Sequence, residues 1–420
     1  MPTPSASAVH FASPAWRYAL PAGWGFSQVR VATSAVAIGG RSGVIVLDSR
    51  SGRLRWRSSD SVAAMGIGTT LVYGTTTNAM VSRSLREGSR RWEHRGVCGV
   101  PRYGVPAGAT VIVDNARDVV VGCAGAGLVR LDAASGNVLA RSDAFQDQIT
   151  QIVPLGACAY GVSGWSDGAI LRFHAAVVDC KELSPIVPER DEAWILGSID
   201  GNAVLGCCIS TRDAQRPITI ALVNLTTGTR SPEVELREPA RDPALGCPNG
   251  RGSVPMLAGA QLYLAVDCAL YRYGDVRSPS AAQLVVGGLA DFPAFLSDGR
   301  VALRAHAAGA AFADEVVRVR DATLETLWSE PEAGWVTFGY DPDVPDVVTV
   351  LGTHQSTAGI TLVRTSDGAH LVVSPTCSVV GSSDTLLVTI CSTSTLVGHR
   401  YLQYAAAYRW PDAKRPATGQ

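Results

Sequence analysis

Three carboxylates in one short loop are the residues of this chain best spaced to hold a metal ion. Asp341, Asp343 and Asp346 lie in the segment GYDPDVPDVV, and oxygen ligands at this spacing suit Ca²⁺. Pro342 and Pro345 stiffen the loop, however, and neither the glycine nor the terminal glutamate of an EF-hand follows. We expect a solvated loop between strands, with a calcium site as the alternative.

Residue patterns typical of catalysis are missing elsewhere. No two of the seven histidines lie two, three or four residues apart, so a metal site would need ligands from distant segments. The sequence contains no G-x-S-x-G, H-E-x-x-H or P-loop motif. A strand follows the glycines of GCAGAG, beginning at Gly122, which favours a hairpin over a dinucleotide site. These observations favour a protein without catalytic activity.

Two tryptophans are the candidates for contacting a ligand or a partner. Trp165, in SGWSDG, and Trp335 do not close a strand unit, and an exposed aromatic side chain there could anchor a partner. Core packing is the alternative for both. Four other tryptophans do close strand units, and we expect them to pack between units: Trp56, Trp92, Trp328 and Trp410.

The composition narrows the class of protein. The chain has 420 residues, of which 46% are apolar and 17% charged, which is enough to bury a large core. A net charge of −1 argues against nucleic acid or an anionic membrane as the main partner, because both attract basic surfaces. No segment reaches the ~18 apolar residues of a membrane helix, and the N-terminus lacks an export signal. We expect a mature or truncated ectodomain whose anchor is missing.

A unit of consecutive β-strands recurs, with variations, along almost the whole chain. These repeated units must position the candidate aspartates and tryptophans. The clearest unit, 39–56, has two strands joined by a Ser-Gly turn, with Val44 and Val46 in the alternation typical of strands. Nine such units can be counted, at intervals of about 35 to 60 residues, the range of propellers and solenoids. Each unit offers four strands, and helical signals are scarce. Such sheets must bury their faces against one another, as blades of a β-propeller do.

The sequence therefore predicts an all-β protein, a β-propeller of four-stranded blades. We favour eight blades, because the sixth and ninth of the nine units are weak; seven blades are a further alternative. The segment 10–20 resembles the outer strand RLRWRSSD and is predicted to close the ring as the outer strand of the last blade. We expect a tail at 1–9, one propeller domain at 10–411, a second tail at 412–420, and a monomer.

Two units carry a recognisable repeat motif: a glycine before a strand, Leu-Asp at its end, a glycine in the turn and, in one case, tryptophan in the next strand. The residues are Gly43, Leu47, Asp48, Gly52 and Trp56, then Gly127, Leu131, Asp132 and Gly136. This motif resembles the repeat of PQQ-like, or quinoprotein-like, β-propellers. The resemblance implies the fold but not PQQ, because many members of the class are scaffold and binding proteins.

The adjacent cysteines of GCCIS, Cys207 and Cys208, are similar to the vicinal pair beside the cofactor of some quinoprotein dehydrogenases. The dehydrogenases that this pair resembles have longer chains, and their carboxylate and carboxamide motifs are missing from this sequence. We therefore expect no cofactor, and PQQ with calcium is the alternative.

Ten cysteines without a CxxC pair suit disulfides and an oxidising compartment. The midpoints of two pairs fall at expected chain reversals, as antiparallel hairpins require: Cys247 with Cys268, and Cys377 with Cys391. Cys98 and Cys123 share the pattern across a longer loop. Pairing Cys158 with Cys180 across a hairpin leaves Cys207 and Cys208 as a vicinal bridge. Ten buried free thiols are the alternative.

The function expected from these features is that of a secreted or surface-anchored binding or scaffolding module. Its contacts with a protein or glycan partner would use the loops on one propeller face. The arginine-rich, lysine-poor composition suggests a GC-rich bacterial source. The alternative is a propeller-type enzyme, either a quinoprotein oxidoreductase or a glycan-active protein.

Overall fold

The structure is a computed structural model, and its described residues are built from β-strands. No helix long and apolar enough to cross a membrane occurs among them. The described residues are 11–99, 108–114, 117–143, 145, 148–156, 158–165, 173–191, 193–207, 218–237, 253–266, 269–287, 294–295, 300–306, 312–320, 323–331, 336–340, 347–352, 360–397 and 400–411.

Among the described residues, the strands form nine antiparallel sheets of four strands, which we number 1 to 9 in chain order. Sheet 1 contains β2 (Phe26–Val31), β3 (Ala35–Gly40), β4 (Gly43–Asp48) and β5 (Leu54–Ser58). Sheet 2 contains β6 (Val62–Ile67), β7 (Thr70–Thr75), β8 (Ala79–Ser84) and β9 (Arg90–Arg95). Sheet 3 contains β10 (Ala109–Asp114), β11 (Asp118–Cys123), β12 (Gly127–Asp132) and β13 (Val138–Ser142).

The middle sheets repeat this plan. Sheet 4 contains β14 (Gln148–Leu155), β15 (Ala159–Trp165), β16 (Phe173–Asp179) and β17 (Pro185–Asp191). Sheet 5 contains β18 (Ala193–Ile199), β19 (Asn202–Cys207), β20 (Ile218–Asn224) and β21 (Val234–Leu236). Sheet 6 contains β22 (Ser253–Ala258), β23 (Gln261–Val266), β24 (Ala269–Asp275) and β25 (Gln283–Val286).

The last sheets bring the two ends of the chain together. Sheet 7 contains β26 (Ala294–Phe295), β27 (Arg300–His306), β28 (Phe312–Arg320) and β29 (Thr323–Pro331). Sheet 8 contains β30 (Val336–Tyr340), β31 (Val347–Gly352), β32 (Ile360–Arg364) and β33 (His370–Val373). Sheet 9 contains β34 (Cys377–Ser382), β35 (Leu386–Val397), β36 (Arg400–Arg409) and β1 (Trp16–Ala19).

Strands within each of sheets 1 to 8 follow chain order, so each sheet is one antiparallel meander. This is the β-propeller architecture that the repeat predicts. The nine sheets equal the nine units counted directly and exceed by one the eight blades favoured from the sequence. The weak sixth unit lies in a sheet built from four consecutive strands, whereas the weak ninth unit lies in a sheet of three consecutive strands that β1 completes.

The first strand joins the last sheet. β1 pairs with β36, with Trp16 opposite Ala407 and Ala19 opposite Tyr404, and thereby takes the fourth position that β5 takes in sheet 1. Buried residues of sheets 1 and 9 then pack into one cluster, including Ile38 and Val388. This pairing is the one that closure by the N-terminal strand requires.

Tryptophans on fourth strands dock onto the next sheet along the chain. The indole of Trp56 donates a hydrogen bond to the carbonyl of Leu85 (3.2 Å) and lies against Gly88, where an added Cβ would approach it to 2.6 Å. The indole of Trp92 likewise donates a hydrogen bond to the carbonyl of Ala133 (3.0 Å) and lies against Gly136. These glycines have positive φ, so the turn needs glycine for its backbone and for the space above it.

At the junction between sheets 3 and 4, other residues fill the space that tryptophan and glycine fill at the earlier junctions. Leu183 takes a positive φ of 56° in the turn before β17 and is fully buried. Ala140, at the position on β13 that tryptophan takes on β5 and β9, packs in the same cluster. At the earlier junctions the fourth strand supplies a tryptophan and the next turn supplies a glycine. At this junction the fourth strand supplies the small residue, Ala140, and the turn supplies the large one, Leu183.

Three of the predicted cysteine pairs lie at bonding distance. Cys377 and Cys391 are directly opposite in the β34–β35 hairpin, and the Cα atoms of Cys158 and Cys180 lie 4.8 Å apart across β15 and β16. Cys98 and Cys123, 5.2 Å apart between Cα atoms, join sheets 2 and 3 instead of two strands of a hairpin, because Cys98 follows β9. Three cysteines and the side chain of a fourth lie outside the described residues: Cys208, Cys247, Cys268 and Cys207.

Candidate anion-binding cleft

The site residues expected from the sequence lie largely outside the described part of the chain. The loop with Asp341, Asp343 and Asp346 is outside it, as is Trp335. Trp165 is the last residue of β15, and its side chain is not described. Among the described residues, no group of three or more potential metal ligands comes together. The calcium site and the two exposed tryptophans therefore remain predictions.

A cleft of about 470 Å³ opens between sheets 1 and 9, where the first and last sheets meet. Three turns and the end of one strand build it: β2–β3, β4–β5, β34–β35 and the end of β36. The lining residues are Ala32, Thr33, Ser49, Arg50, Ser383, Thr385, Leu386 and Arg409.

The turn that presents Arg50 is held rigidly by Asp48. Its carboxylate accepts hydrogen bonds from the backbone N–H of Arg50 (3.1 Å) and of Ser51 (3.0 Å), and it pairs with Arg55 at 2.8 Å. The hydrogen bond from Arg55, and next that from the Ser51 hydroxyl, lower the pKa of Asp48 to about 2. Asp48 is therefore ionised and engaged within the turn at neutral pH.

Two further contacts tie this turn to its neighbours. The indole N–H of Trp16, from sheet 9, donates to the carbonyl of Ser49 (2.8 Å). The Ser49 hydroxyl donates to the carbonyl of Thr33 (2.7 Å), and the Ser49 N–H donates to the carbonyl of Ser34 (3.1 Å). The backbone of Arg50 is thus fixed while its side chain stays exposed.

The opposite wall is organised around Arg364. Its guanidinium donates to both carboxylate oxygens of Asp367 (2.8 and 2.5 Å) and to the carbonyl of Asp384 (2.5 Å). It also lies over the ring of Trp410, 5.3 Å from the centroid. These contacts hold the β34–β35 turn beside the exposed Arg409.

The lining chemistry suits recognition of an anionic group. Guanidinium groups bind carboxylates and phosphates through paired hydrogen bonds, and Arg50 and Arg409 offer two of them beside the hydroxyls of Thr33, Ser383 and Thr385. None of the eight lining residues is histidine, cysteine, lysine or acidic, so they include no ordinary general acid or base. The lining of the cleft therefore offers guanidinium and hydroxyl groups to an anionic ligand.

A second polar cluster lies between sheets 1 and 2. Tyr73 is fully buried; its hydroxyl donates to Asp60 (2.5 Å) and accepts from Arg83 (2.8 Å), while Arg83 also pairs with Asp60 at 3.1 Å. Burial, and next the hydrogen bond to Asp60, raise the pKa of Tyr73 to about 12. Each polar group is engaged within the cluster, which therefore stabilises the junction.

The sequence gives little warning of the cleft. Thr33 and Arg50 lie near one end of the chain, and Ser383 and Arg409 near the other. The one signal that could have brought them together is the likeness of PAWRYAL, around Trp16, to the outer strand around Trp56, because it places the chain ends in adjacent sheets.

No family model matches the sequence, and no curated protein matches it either. The chain is similar to several solved structures, each at low identity. BamB from Moraxella catarrhalis has 13% identity and a TM-score of 0.44, over 94% of this chain and 99% of that one. Quinohemoprotein alcohol dehydrogenase ADHIIG from Pseudomonas putida HK5 has 13% identity and a TM-score of 0.45, over 97% and 78%. Both are PQQ-like β-propeller repeat proteins. The computationally designed Ika8 protein has 13% identity and a TM-score of 0.41, over 92% and 98%.

Proposed function

We propose that this protein is a non-catalytic binding module that recognises a carboxylate- or phosphate-bearing protein or glycan in the cleft between sheets 1 and 9. The observation that carries the proposal is the lining of the cleft. Two exposed arginines stand beside several hydroxyls, and no lining residue can serve as an ordinary general acid or base.

The rigidity of the cleft supports a binding role. The Arg50 turn is held by Asp48, by Trp16 and by the β2–β3 turn, so that little backbone ordering remains to oppose ligand binding. Preorganisation of this kind raises affinity by lowering the entropy cost of association.

The compartment we propose is the cell envelope or the extracellular space. Three cysteine pairs lie at bonding distance, and disulfides persist in oxidising environments. A carboxylate- or phosphate-bearing envelope component or secreted protein is then the class of partner.

Isothermal titration calorimetry with citrate and with inorganic phosphate tests the cleft directly. We expect saturable binding of at least one anion, weakened at least about tenfold in R50A/R409A, since each charge-assisted hydrogen bond contributes strongly to binding. The matched control is R41A/R237A, which removes two exposed arginines elsewhere and should bind as the wild type does. Absence of binding, or equal loss in both variants, would contradict the proposal.

A further inference from the structure

Positive charge is concentrated in the first part of the chain. Residues 11–99 contain twelve arginines and no lysine against four acidic residues, a net charge of +8, whereas the whole chain carries −1. The overall balance therefore hides a basic region, and the remainder of the chain is acidic. This region supplies β1 and all of sheets 1 and 2.

The acidic residues of the region cannot neutralise it. Three of the four are already paired with arginines: Asp48 with Arg55, Asp60 with Arg83, and Glu93 with Arg90 and Arg95. Other arginines are exposed and have no carboxylate partner among the described residues: Arg41, Arg50, Arg53, Arg57, Arg86 and Arg91. Such an excess of one charge on a surface attracts anionic partners.

Two of these arginines lie on strand edges. Arg57 is on β5 and Arg91 on β9, the outermost strands of sheets 1 and 2. One side of an outermost strand has unpaired backbone N–H and C=O groups. Between Arg55 and Arg57, Trp56 turns inward onto Gly88, whereas Leu54 on the same strand is 44% exposed. These edges thus combine backbone groups, positive charge and some apolar surface.

We propose that the outer edges of β5 and β9 bind an extended acidic segment of a partner protein by strand addition. The segment would pair its backbone with an edge strand, and alternate Asp or Glu side chains would reach the exposed arginines. A nucleic acid or a sulfated glycan could use the charge but not the backbone edge, so the edge favours a peptide. The surface is separate from the cleft, and its test does not depend on the cleft.

The probe is a labelled twelve-residue peptide of alternating Glu and Thr, followed by fluorescence anisotropy. We expect saturable binding that weakens as salt is raised, because exposed charges are screened. A peptide with Gln in place of Glu should bind at least about tenfold more weakly. A peptide with Pro in place of Thr keeps every charge but loses half of its backbone N–H groups, and it should also bind at least about tenfold more weakly.

Charge-reversal variants assign the surface. R57E/R91E should lose the Glu–Thr peptide, whereas K181E/R237E, with the same change in net charge at exposed positions of sheets 4 and 5, should retain it. Unchanged melting temperatures would show that both variants are folded. Equal loss in the two variants would overturn the proposal, because the effect would then reflect net charge alone.

Polyphosphate and heparin complete the experiment. If either binds with the same dependence on Arg57 and Arg91 while the proline peptide binds as well as the threonine peptide, the edge plays no part and strand addition is wrong. If R50A/R409A loses citrate and phosphate binding but still binds the Glu–Thr peptide, the cleft and the strand edges are two separate binding sites, as proposed.

Discussion

The indole of Trp16 lies on Gly52 and donates a hydrogen bond to the carbonyl of Ser49 at 2.8 Å. Trp16 belongs to the sheet formed by the C-terminal strands, whereas Gly52 and Ser49 belong to sheet 1. The contact repeats those of Trp56 with Gly88 and of Trp92 with Gly136. The junction between the ends of the chain is therefore built like the junctions inside it.

Deleting residues 1–22 should yield a poorly soluble protein. The deletion removes β1, leaves β36 as an unpaired edge, and takes Trp16 from a buried cluster. Such an edge promotes aggregation, and loss of a buried tryptophan costs about 3–5 kcal/mol. Size-exclusion chromatography and thermal melting measure both effects. A monomeric truncated protein with an unchanged melting temperature would refute closure by this strand.

Replacing Gly52 with alanine should destabilise the protein more than the same change at Gly259. Both glycines have positive φ, 67° and 58°, so both substitutions strain the backbone by about 1 kcal/mol. Only at Gly52 would the new Cβ meet another side chain, Trp16 at 2.6 Å, whereas nothing lies within 4 Å at Gly259. Overpacking adds about 1–3 kcal/mol. Chemical denaturation measures the difference, and equal destabilisation would show that the Trp16 contact is not formed.

Stability should fall with pH partly through Asp48. Its pKa is lowered from 3.8 to about 2 in the folded protein. A carboxyl with a depressed folded pKa stabilises the folded state above its unfolded pKa, and this contribution is lost as the pH falls from about 4 towards 2. Thermal melting of D48N should show a smaller decline across this range than the wild type. Parallel profiles would mean that the Asp48–Arg55 pair does not couple to folding.

Non-reducing peptide mapping should recover the pairs Cys98–Cys123, Cys158–Cys180 and Cys377–Cys391. The same map tests the remaining predictions, Cys247–Cys268 and the vicinal Cys207–Cys208. Cys377 and Cys391 lie 14 residues apart, and a disulfide that closes a loop of this length contributes about 3 kcal/mol to stability. C377A/C391A should therefore melt at a lower temperature than the wild type. Alkylation of both Cys377 and Cys391 in the unfolded, unreduced protein would contradict the predicted disulfide between them and the proposed location in an oxidising compartment.

PQQ with Ca²⁺ should leave the melting temperature unchanged if the protein is a binding module alone. A ligand at 100 times its Kd stabilises the folded state by about 2.7 kcal/mol, which is readily measured. Ca²⁺ without PQQ is the control, and it also tests the loop with Asp341, Asp343 and Asp346. A shift with PQQ would favour the quinoprotein oxidoreductase, whereas a shift with Ca²⁺ alone would support the loop site.

Local patterns in the sequence were enough to predict the strands, the repeat and the two cysteine pairs that lie across hairpins, Cys158–Cys180 and Cys377–Cys391. Alternation around Val44 and Val46 and a glycine in the turn act within one hairpin, where neighbours in sequence are also neighbours in space. The pairing of Cys377 with Cys391 follows from hairpin symmetry alone. Even the partner of β1 could be predicted, because the segment around Trp16 copies an outer strand.

Only the tertiary structure decided the sites. Arg50 and Arg409 share a cleft because two sheets from opposite ends of the chain pack together, and no local pattern encodes that contact. Leu183 adopts a turn conformation usually left to glycine, since Ala140 leaves room for its side chain. Arg57 and Arg91 could be counted in the sequence, but their exposure on outer edges depends on which strands the sheets leave unpaired. Long-range packing sets these features, so they emerge only once the sheets are assembled.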